Sequence, residues 1–326
     1  MHVFSMIVRQ FGVNGAWYNN PDYGPRLQQI SSDMLNEWFA LHDLLPETLY
    51  HYTTAEGLLG IFNSNRLWAT QADYLNDSSE LNYARDRIRI LLANQTTKWS
   101  DPAITELLTI AQRVIGSGPR TFHVACFCEN GDLLSQWRGY GNDGGYAIGF
   151  SVRELGYKMN PTPPYALRKV IYDQSRQDEL ISTLIEKTLE TFRNLTFGCP
   201  PDDVIRIRAL VLSMFEDFVD QYTICFKDPL FQEEHEWRIV ESPWVFDSDG
   251  YVSRLRFRRI PGGFAPYVEL DLSPSAGASH GKIPISSITH GPTLSPPLAK
   301  ASPQQLLRKY DYPFARVQGS RIPLRF

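Results

Sequence analysis

Apolar residues recur along this chain with two spacings, which predict where strands and helices form. Alternation, or a short continuous apolar run, is typical of a strand, and a repeat every three to four residues is typical of a helix. Strands are predicted at 49–52, 66–70, 121–128, 146–150, 167–172, 234–240, 255–257, 267–270 and 314–318. Helices are predicted at 31–43, directly after Thr53, and at 78–93, 101–115, 133–140, 176–195, 202–226 and 302–310.

The order of these elements indicates an α+β fold with a mixed or antiparallel sheet. Strands and helices follow each other without the regular alternation of a doubly wound parallel sheet. Two consecutive helices over about 176–226 interrupt the strands, so we interpret them as a helical insert. We expect residues 1–46 to form an extension that packs on the core, and residues 47–326 to form a single domain.

Composition limits the class of protein. The chain has 326 residues, 43% of them hydrophobic, and 13% are aromatic, which is enough for a sizeable core. A net charge of −4 does not predict a duplex-DNA footprint, which is usually basic. No apolar run approaches the roughly 18 residues of a membrane span. With four cysteines and no signal-peptide pattern at the start of the chain, we expect a cytoplasmic protein.

The most informative segment is the predicted strand Glu234-His235-Glu236-Trp237-Arg238-Ile239-Val240. Successive side chains on a strand point to opposite faces, so Glu234, Glu236 and Arg238 are expected on one face. Two carboxylates about 7 Å apart can perform acid–base work or stabilise a developing cation. The same row can also be a solvated strand edge, and the sequence leaves both interpretations open.

Two further segments carry candidate binding residues. His51, Tyr52 and Thr53 lie at a strand end before a helix, where Thr53 with Glu56 matches a capping box. A helix start favours anions, so His51 is placed to contact a ribose or phosphate, although it can equally pack between strand and helix.

The helix around Ser135 holds two aromatic residues on one face. Trp137 and Tyr140 are three residues apart, a spacing that lets both rings stack on a base or nicotinamide beside a cleft. Core packing is the competing interpretation, and it is favoured for Trp137. His123 with Cys126 and Cys128 does not predict a metal site, because the histidine faces away from the cysteines on a strand.

The order of these motifs resembles the bacterial family named domain of unknown function 2971. The resemblance rests on the segments Leu49–Thr53, Leu75–Glu80, Ala125–Cys128, Ser135–Phe150 and Glu234–Arg238, and it spans roughly residues 48–292. The family carries little biochemical knowledge with it.

A more distant resemblance is to the ADP-ribosyltransferase fold, which has a split sheet. The segment around His51 is similar to its first-strand histidine motif, and Glu234 with Glu236 is similar to its Glu-x-Glu motif. The resemblance implies that Glu236 holds the nicotinamide ribose and Glu234 orients the acceptor. It implies NAD as a consumed substrate without a metal, bound by the residues His51, Tyr52, Thr53, Phe127, Ser135, Trp137, Tyr140 and Arg238. Tyr52 replaces the usual glycine of the histidine motif, and no Ser-Thr-Ser motif is present.

Three functions follow as hypotheses. The first is an NAD-consuming ADP-ribosyltransferase or NAD glycohydrolase, with a toxin or phage-defence effector as a fitting setting and a protein or nucleic acid as acceptor. The second is a non-catalytic module that binds a nucleotide or RNA. The third is a metal-dependent nuclease that uses Glu234, Glu236 and Asp77.

Overall fold

A computed structural model describes residues 45–75, 78–115, 122–140, 145–155, 165–241, 252–260, 262–273, 281–293 and 295–323. These residues fall into two compact units. One unit is helical and contains residues 78–115 and 171–230. The other contains the sheet, with residues 45–75, 122–170 and 231–323. The predicted helix 31–43 and the packing of residues 1–46 lie outside the described residues, and the single domain over 47–326 stays a prediction.

Four long helices build the helical unit. They are α2 (Ser78–Thr96), α3 (Pro102–Val114), α6 (Gln174–Thr196) and α7 (Pro201–Thr223). Their starts follow local rules: the side chains of Asp101 and Asp173 cap α3 and α6, and Pro201 occupies the first turn of α7. The helices predicted at 176–195 and 202–226 are therefore confirmed, with ends shifted by a few residues.

Ten strands of the described chain form the sheet of the second unit. They are β1 (Thr48–Thr53), β2 (Leu67–Gln71), β3 (His123–Cys128), β4 (Tyr146–Ser151), β5 (Tyr165–Lys169), β6 (Glu236–Glu241), β7 (Arg256–Ile260), β8 (Gly263–Leu270), β9 (Ile285–His290) and β10 (Arg316–Gly319). The unit also contains the helices α1 (Ala55–Ser64), α4 (Leu134–Tyr140), α5 (Val152–Leu155) and α8 (Pro296–Lys309).

The sheet branches at β3. Strands run in the order β10-β9-β4-β1-β3-β2-β8-β7, while β6 pairs with β3 and β5 pairs with β6. The pairs are antiparallel, except that β9 and β10 are parallel. A mostly antiparallel sheet mixed with helices confirms the α+β prediction in its coarse form, and the likeness to the ADP-ribosyltransferase fold is not confirmed.

One face of this sheet carries the hydrophobic core. Leu49, Phe127, Ile148, Trp237 and Val268 come from five strands and are at most 1% exposed. Their registers place them on the same side, because Phe127 pairs with Trp237 and every second residue shares a face. The opposite face carries the candidate site.

Three sequence expectations need correction. Strand β9 was not predicted, because Ser286, Ser287 and Thr289 dilute its apolar pattern. Helix α8 begins at Pro296 rather than 302, since proline is well tolerated in a first turn. The cap of α1 is Thr54, whose side chain accepts from the Gly57 amide, so Thr53 is the last residue of β1 and not the cap.

Candidate functional site

The face of the sheet opposite the core carries buried charge at its centre. Glu236 and Arg238 on β6 are 3% and 2% exposed. Arg238 donates from Nε to Glu236 Oε1 at 2.7 Å and from Nη2 to Oε2 at 2.9 Å. Such a bidentate pair fixes the carboxylate in one orientation. The interpretation of this row as a solvated edge is therefore wrong for Glu236 and Arg238.

Glu234 does not share this strand. It ends the 3₁₀ helix Pro229–Glu234, and His235 follows with φ +40° before β6 begins at Glu236. A residue in the left-handed region breaks the alternation that a continuous strand would impose. The predicted row of two carboxylates on one strand face is therefore wrong, although Glu234 remains next to the strand and half-buried.

Neighbouring strands add further charge to this face. Cys126 on β3 and Arg168 on β5 both pair with Arg238, so their side chains share its side of the sheet. Arg168 is buried, so a second guanidinium group lies on this face of the described strands. The sequence analysis predicted the strand that contains Arg168 but not which strand pairs with it. Without that partner, the side of the sheet on which Arg168 lies could not be predicted.

Arg258 on β7 is a second residue that the sequence analysis missed. Its Nη2 donates to the Thr70 hydroxyl at 2.9 Å, so it lies against β2. Burial is the main cause of the lowered pKa of His51 and of the raised pKa of Tyr140, and the charge of Arg258 contributes to lowering both. Arg256 and Arg258 are two residues apart in β7, so strand alternation places both on one side of the sheet. This spacing was the signal in the sequence that could have identified Arg258.

His51 occupies the point where the sheet branches. Tyr50 pairs with Cys128 and Thr70 pairs with Val124, so one edge of β3 passes from β1 to β2 at Cys126. There His51 Nδ1 lies 2.9 Å from the Cys126 carbonyl. The carbonyl can only accept, so Nδ1 carries the proton and Nε2 of the neutral ring is an acceptor. Burial lowers the pKa of His51 below 6.5, which favours this neutral form.

Tyr140 is the candidate aromatic residue that stays near these charges. It ends α4 and is half-buried. Burial raises the pKa of its hydroxyl, and the nearby Cys126 and Glu236 raise it further. A phenol that remains protonated beside a carboxylate can donate a hydrogen bond to a ligand or to that carboxylate.

The other predicted binding residues have internal contacts. The Tyr52 hydroxyl donates to the Asn130 carbonyl and accepts from the Leu133 amide, each at 2.9 Å. Trp137 is 2% exposed, donates from Nε1 to Asp132 and packs edge-on against Tyr52 at 4.8 Å. Both rings therefore hold α4 on the sheet, and the predicted stacking of Trp137 on a nicotinamide is replaced by a core position.

Phe127, Ser135 and Thr53 also depart from the expected cofactor contacts. Phe127 is 1% exposed on the core face and packs edge-on against Phe150. Ser135 Oγ is buried and has no hydrogen-bond partner among the described residues. Thr53 lies half-buried at the end of β1, beside Gly57. From the predicted set, the structure brings Tyr140, Glu236 and Arg238 together on the polar face. His51 lies where β1 and β2 separate, on the side of Ile148 and Phe127 by register.

Two cavities lie elsewhere in the described part of the chain. A cavity of about 670 Å³ lies in the helical unit beside Trp99 and Phe197, and one of about 480 Å³ lies beside His290 and Pro296. Within the described residues, no group of three or more histidine, cysteine or acidic side chains is arranged to hold a metal ion. None of the helices in the same part of the chain is long and apolar enough to cross a membrane.

Comparison with known proteins gives one match. Neither a curated protein nor a solved structure matches the chain. A family model matches residues 136–239, a segment that contains Trp137, Tyr140, Glu234, Glu236 and Arg238 and is narrower than the range 48–292 expected from the motifs. The family is described as protein of unknown function DUF2971, and the match confirms the resemblance over that part of the chain.

Proposed function

We propose that the polar face of the sheet binds NAD and that the chain breaks the bond between nicotinamide and ribose. The observation that carries this proposal is the buried carboxylate of Glu236, held in one orientation by Arg238 beside Tyr140. A fixed negative charge in a water-poor site stabilises a developing positive charge more strongly than it would in water.

The reaction assigns one role to each group. When the glycosidic bond breaks, its electron pair goes to the nicotinamide nitrogen and leaves an oxocarbenium-like ribose. Glu236 stabilises this cation and accepts from ribose hydroxyls. His51 Nε2 accepts from a second hydroxyl. The nucleophile then bonds to the anomeric carbon and loses its proton; water gives ADP-ribose, and an acceptor gives an ADP-ribosylated product.

The neighbouring arginines supply the contacts for the pyrophosphate. Arg168 on β5 pairs with Arg238, and Arg258 reaches Thr70 on β2 from β7. Planar guanidinium groups suit phosphate oxygens. Glu234, next to β6, is the candidate for positioning the acceptor, and Tyr140 is the candidate for contacting the nicotinamide.

A second candidate function is nucleotide binding without chemistry. It is favoured by one observation: both oxygens of Glu236 already accept from Arg238, as expected for a structural pair. In that case the same arginines would bind a nucleotide and no bond would break.

Nicotinamide release separates the two candidates. Purified wild type, Glu236→Gln and His51→Asn would be incubated with NAD, with and without cell lysate, and free nicotinamide would be quantified. We expect Glu236→Gln to lower release by roughly 100-fold or more, as for loss of a preorganised electrostatic contact. His51→Asn keeps a donor for Cys126 but loses the Nε2 acceptor, so it should also release less.

Glu179→Gln is the matched control, because Glu179 is an exposed carboxylate that pairs with Arg176 in the helical unit. Circular dichroism and thermal melting check that each variant is folded. Full release by a folded Glu236→Gln protein would overturn the role of Glu236. NAD binding measured by calorimetry, without release by the wild type, would establish the binding module instead.

A further inference from the structure

The hairpin of β7 and β8 presents exposed arginine and phenylalanine side chains together. Strand β7 has the sequence Arg-Phe-Arg-Arg-Ile and ends the described sheet on this side. Its residues 256–259 are all exposed. The hairpin turns through Gly262, whose φ of +82° suits glycine, and Ile260 pairs with Gly263.

Two aromatic rings form the centre of this surface. Phe257 is 60% exposed and Phe264 is 67% exposed, and their ring centroids are 5.7 Å apart at 83°. Arg259 pairs with Phe264, so the two rings and this guanidinium lie on the same side of the hairpin. Two neighbouring phenyl rings exposed on a strand bury little core area, so folding alone does not account for them.

The charge of the hairpin differs in sign from that of the whole chain. The chain has a net charge of −4, whereas Arg256, Arg258 and Arg259 fall within four residues. Among the described residues, Glu241 forms an ion pair with Arg254, and Asp271 forms one with Arg66. Glu269 lies two residues from Tyr267, the partner of Arg256, and therefore on the opposite side of the hairpin from the two rings.

We propose that this hairpin binds single-stranded nucleic acid, with Phe257 and Phe264 stacking on bases and Arg259 contacting phosphates. Exposed aromatic rings beside guanidinium groups are the features that bind single strands, because every unpaired base offers a face for stacking. A duplex buries those faces, and an acidic peptide has no planar groups for the rings. This inference does not depend on NAD cleavage by the polar face.

Fluorescence anisotropy with a labelled 20-nucleotide oligo-dT and oligo-rU tests the proposal. We expect Phe257→Ala/Phe264→Ala to weaken binding by roughly tenfold or more, the scale measured for the loss of base stacking. Arg259→Ala should reduce the slope of log affinity against log salt by about 0.7, as expected for one phosphate contact to a single strand. Arg258 is left intact, because it also contacts Thr70.

Phe314→Ala/Arg316→Ala is the matched control. Phe314 is 93% exposed and Arg316 is exposed, and both lie at the β10 edge of the same sheet. This variant should bind as the wild type does. Nicotinamide release in parallel separates failure of this surface from failure of the polar face.

Three results would overturn the proposal. One is equal binding by wild type and the Phe257/Phe264 variant. Another is a preference for a duplex of the same length over the single strand. The third is tighter binding of a glutamate-rich peptide than of either oligonucleotide, which would make the hairpin a protein-binding surface.

Discussion

At the scale of residues, the candidate site depends on how single side chains satisfy one another. Arg238 orients Glu236, and the Cys126 carbonyl orients His51. Arg238 donates to both oxygens of Glu236 and so fixes the plane of the carboxylate. The Cys126 carbonyl accepts from Nδ1 of His51, so Nε2 is the acceptor of the neutral ring. Burial then decides the protonation state, because it disfavours the charged imidazole. Arg238 is two residues from Glu236 in the sequence, whereas Cys126 is 75 residues from His51.

The lowered pKa of His51 gives a prediction for stability against pH. The folded state favours the neutral ring, so the contribution of His51 to the free energy of unfolding is complete above pH 6.5 and is lost as pH falls through the lowered folded pKa. His51→Asn has no such titration. We expect urea denaturation between about pH 8 and pH 5 to show a steeper acid loss for wild type than for His51→Asn. Parallel stability profiles would show that the imidazole is not held neutral.

At the scale of elements, local sequence rules predict most helices and fewer strand boundaries. Capping and periodicity placed α3, α6 and α7 to within a few residues, because these signals act over one or two turns. The break at His235 was not predicted, since only its positive φ separates the 3₁₀ helix from β6. Strand β9 was missed because its burial comes from β4 and β10 on either side, not from its own composition.

The cap of α1 gives a prediction at this scale. Thr54→Ala removes the side-chain oxygen that accepts from the Gly57 amide, and it should lower the free energy of unfolding by about 1 kcal/mol. Thr54→Ser keeps an acceptor and serves as the control. Chemical denaturation of both variants and of Thr53→Ala measures the difference. A larger loss for Thr53→Ala than for Thr54→Ala would restore the cap expected from the sequence.

At the scale of the whole molecule, the sheet unit contains both proposed binding surfaces. The polar face collects residues from β3, β5, β6 and β7, and the basic hairpin forms one end of the same sheet. Strands that are distant in sequence meet only through pairing, so Arg168 lies opposite Arg238 and Arg258 contacts Thr70 without any local motif. The match to DUF2971 covers the central part of the chain and carries no assigned activity.

Metal removal tests the nuclease hypothesis at this scale. That hypothesis uses Glu234, Glu236 and Asp77; both oxygens of Glu236 accept from Arg238, and Asp77 lies outside the described residues. The Arg238 guanidinium competes with Mg²⁺ for both oxygens, and Mg²⁺ also demands near-ideal octahedral geometry from its oxygen ligands. We therefore expect EDTA to leave both nicotinamide release and the melting temperature unchanged. Cleavage of a nucleic acid that requires Mg²⁺ and is abolished by EDTA would favour the nuclease.

The sequence by itself determined the fold class, the paired helices near 176–226, the family resemblance and the choice of Glu236, Arg238, His51 and Tyr140 as candidates. These follow from periodicity, capping and motif order, which are local properties of the chain. The tertiary structure alone decided that Glu236 is buried and paired, that Glu234 leaves the strand, and that Tyr52, Phe127 and Trp137 have internal contacts. The reason is physical: the face, burial and charge partners of a strand residue are set by the strands that pair with it, and those strands lie far away in sequence.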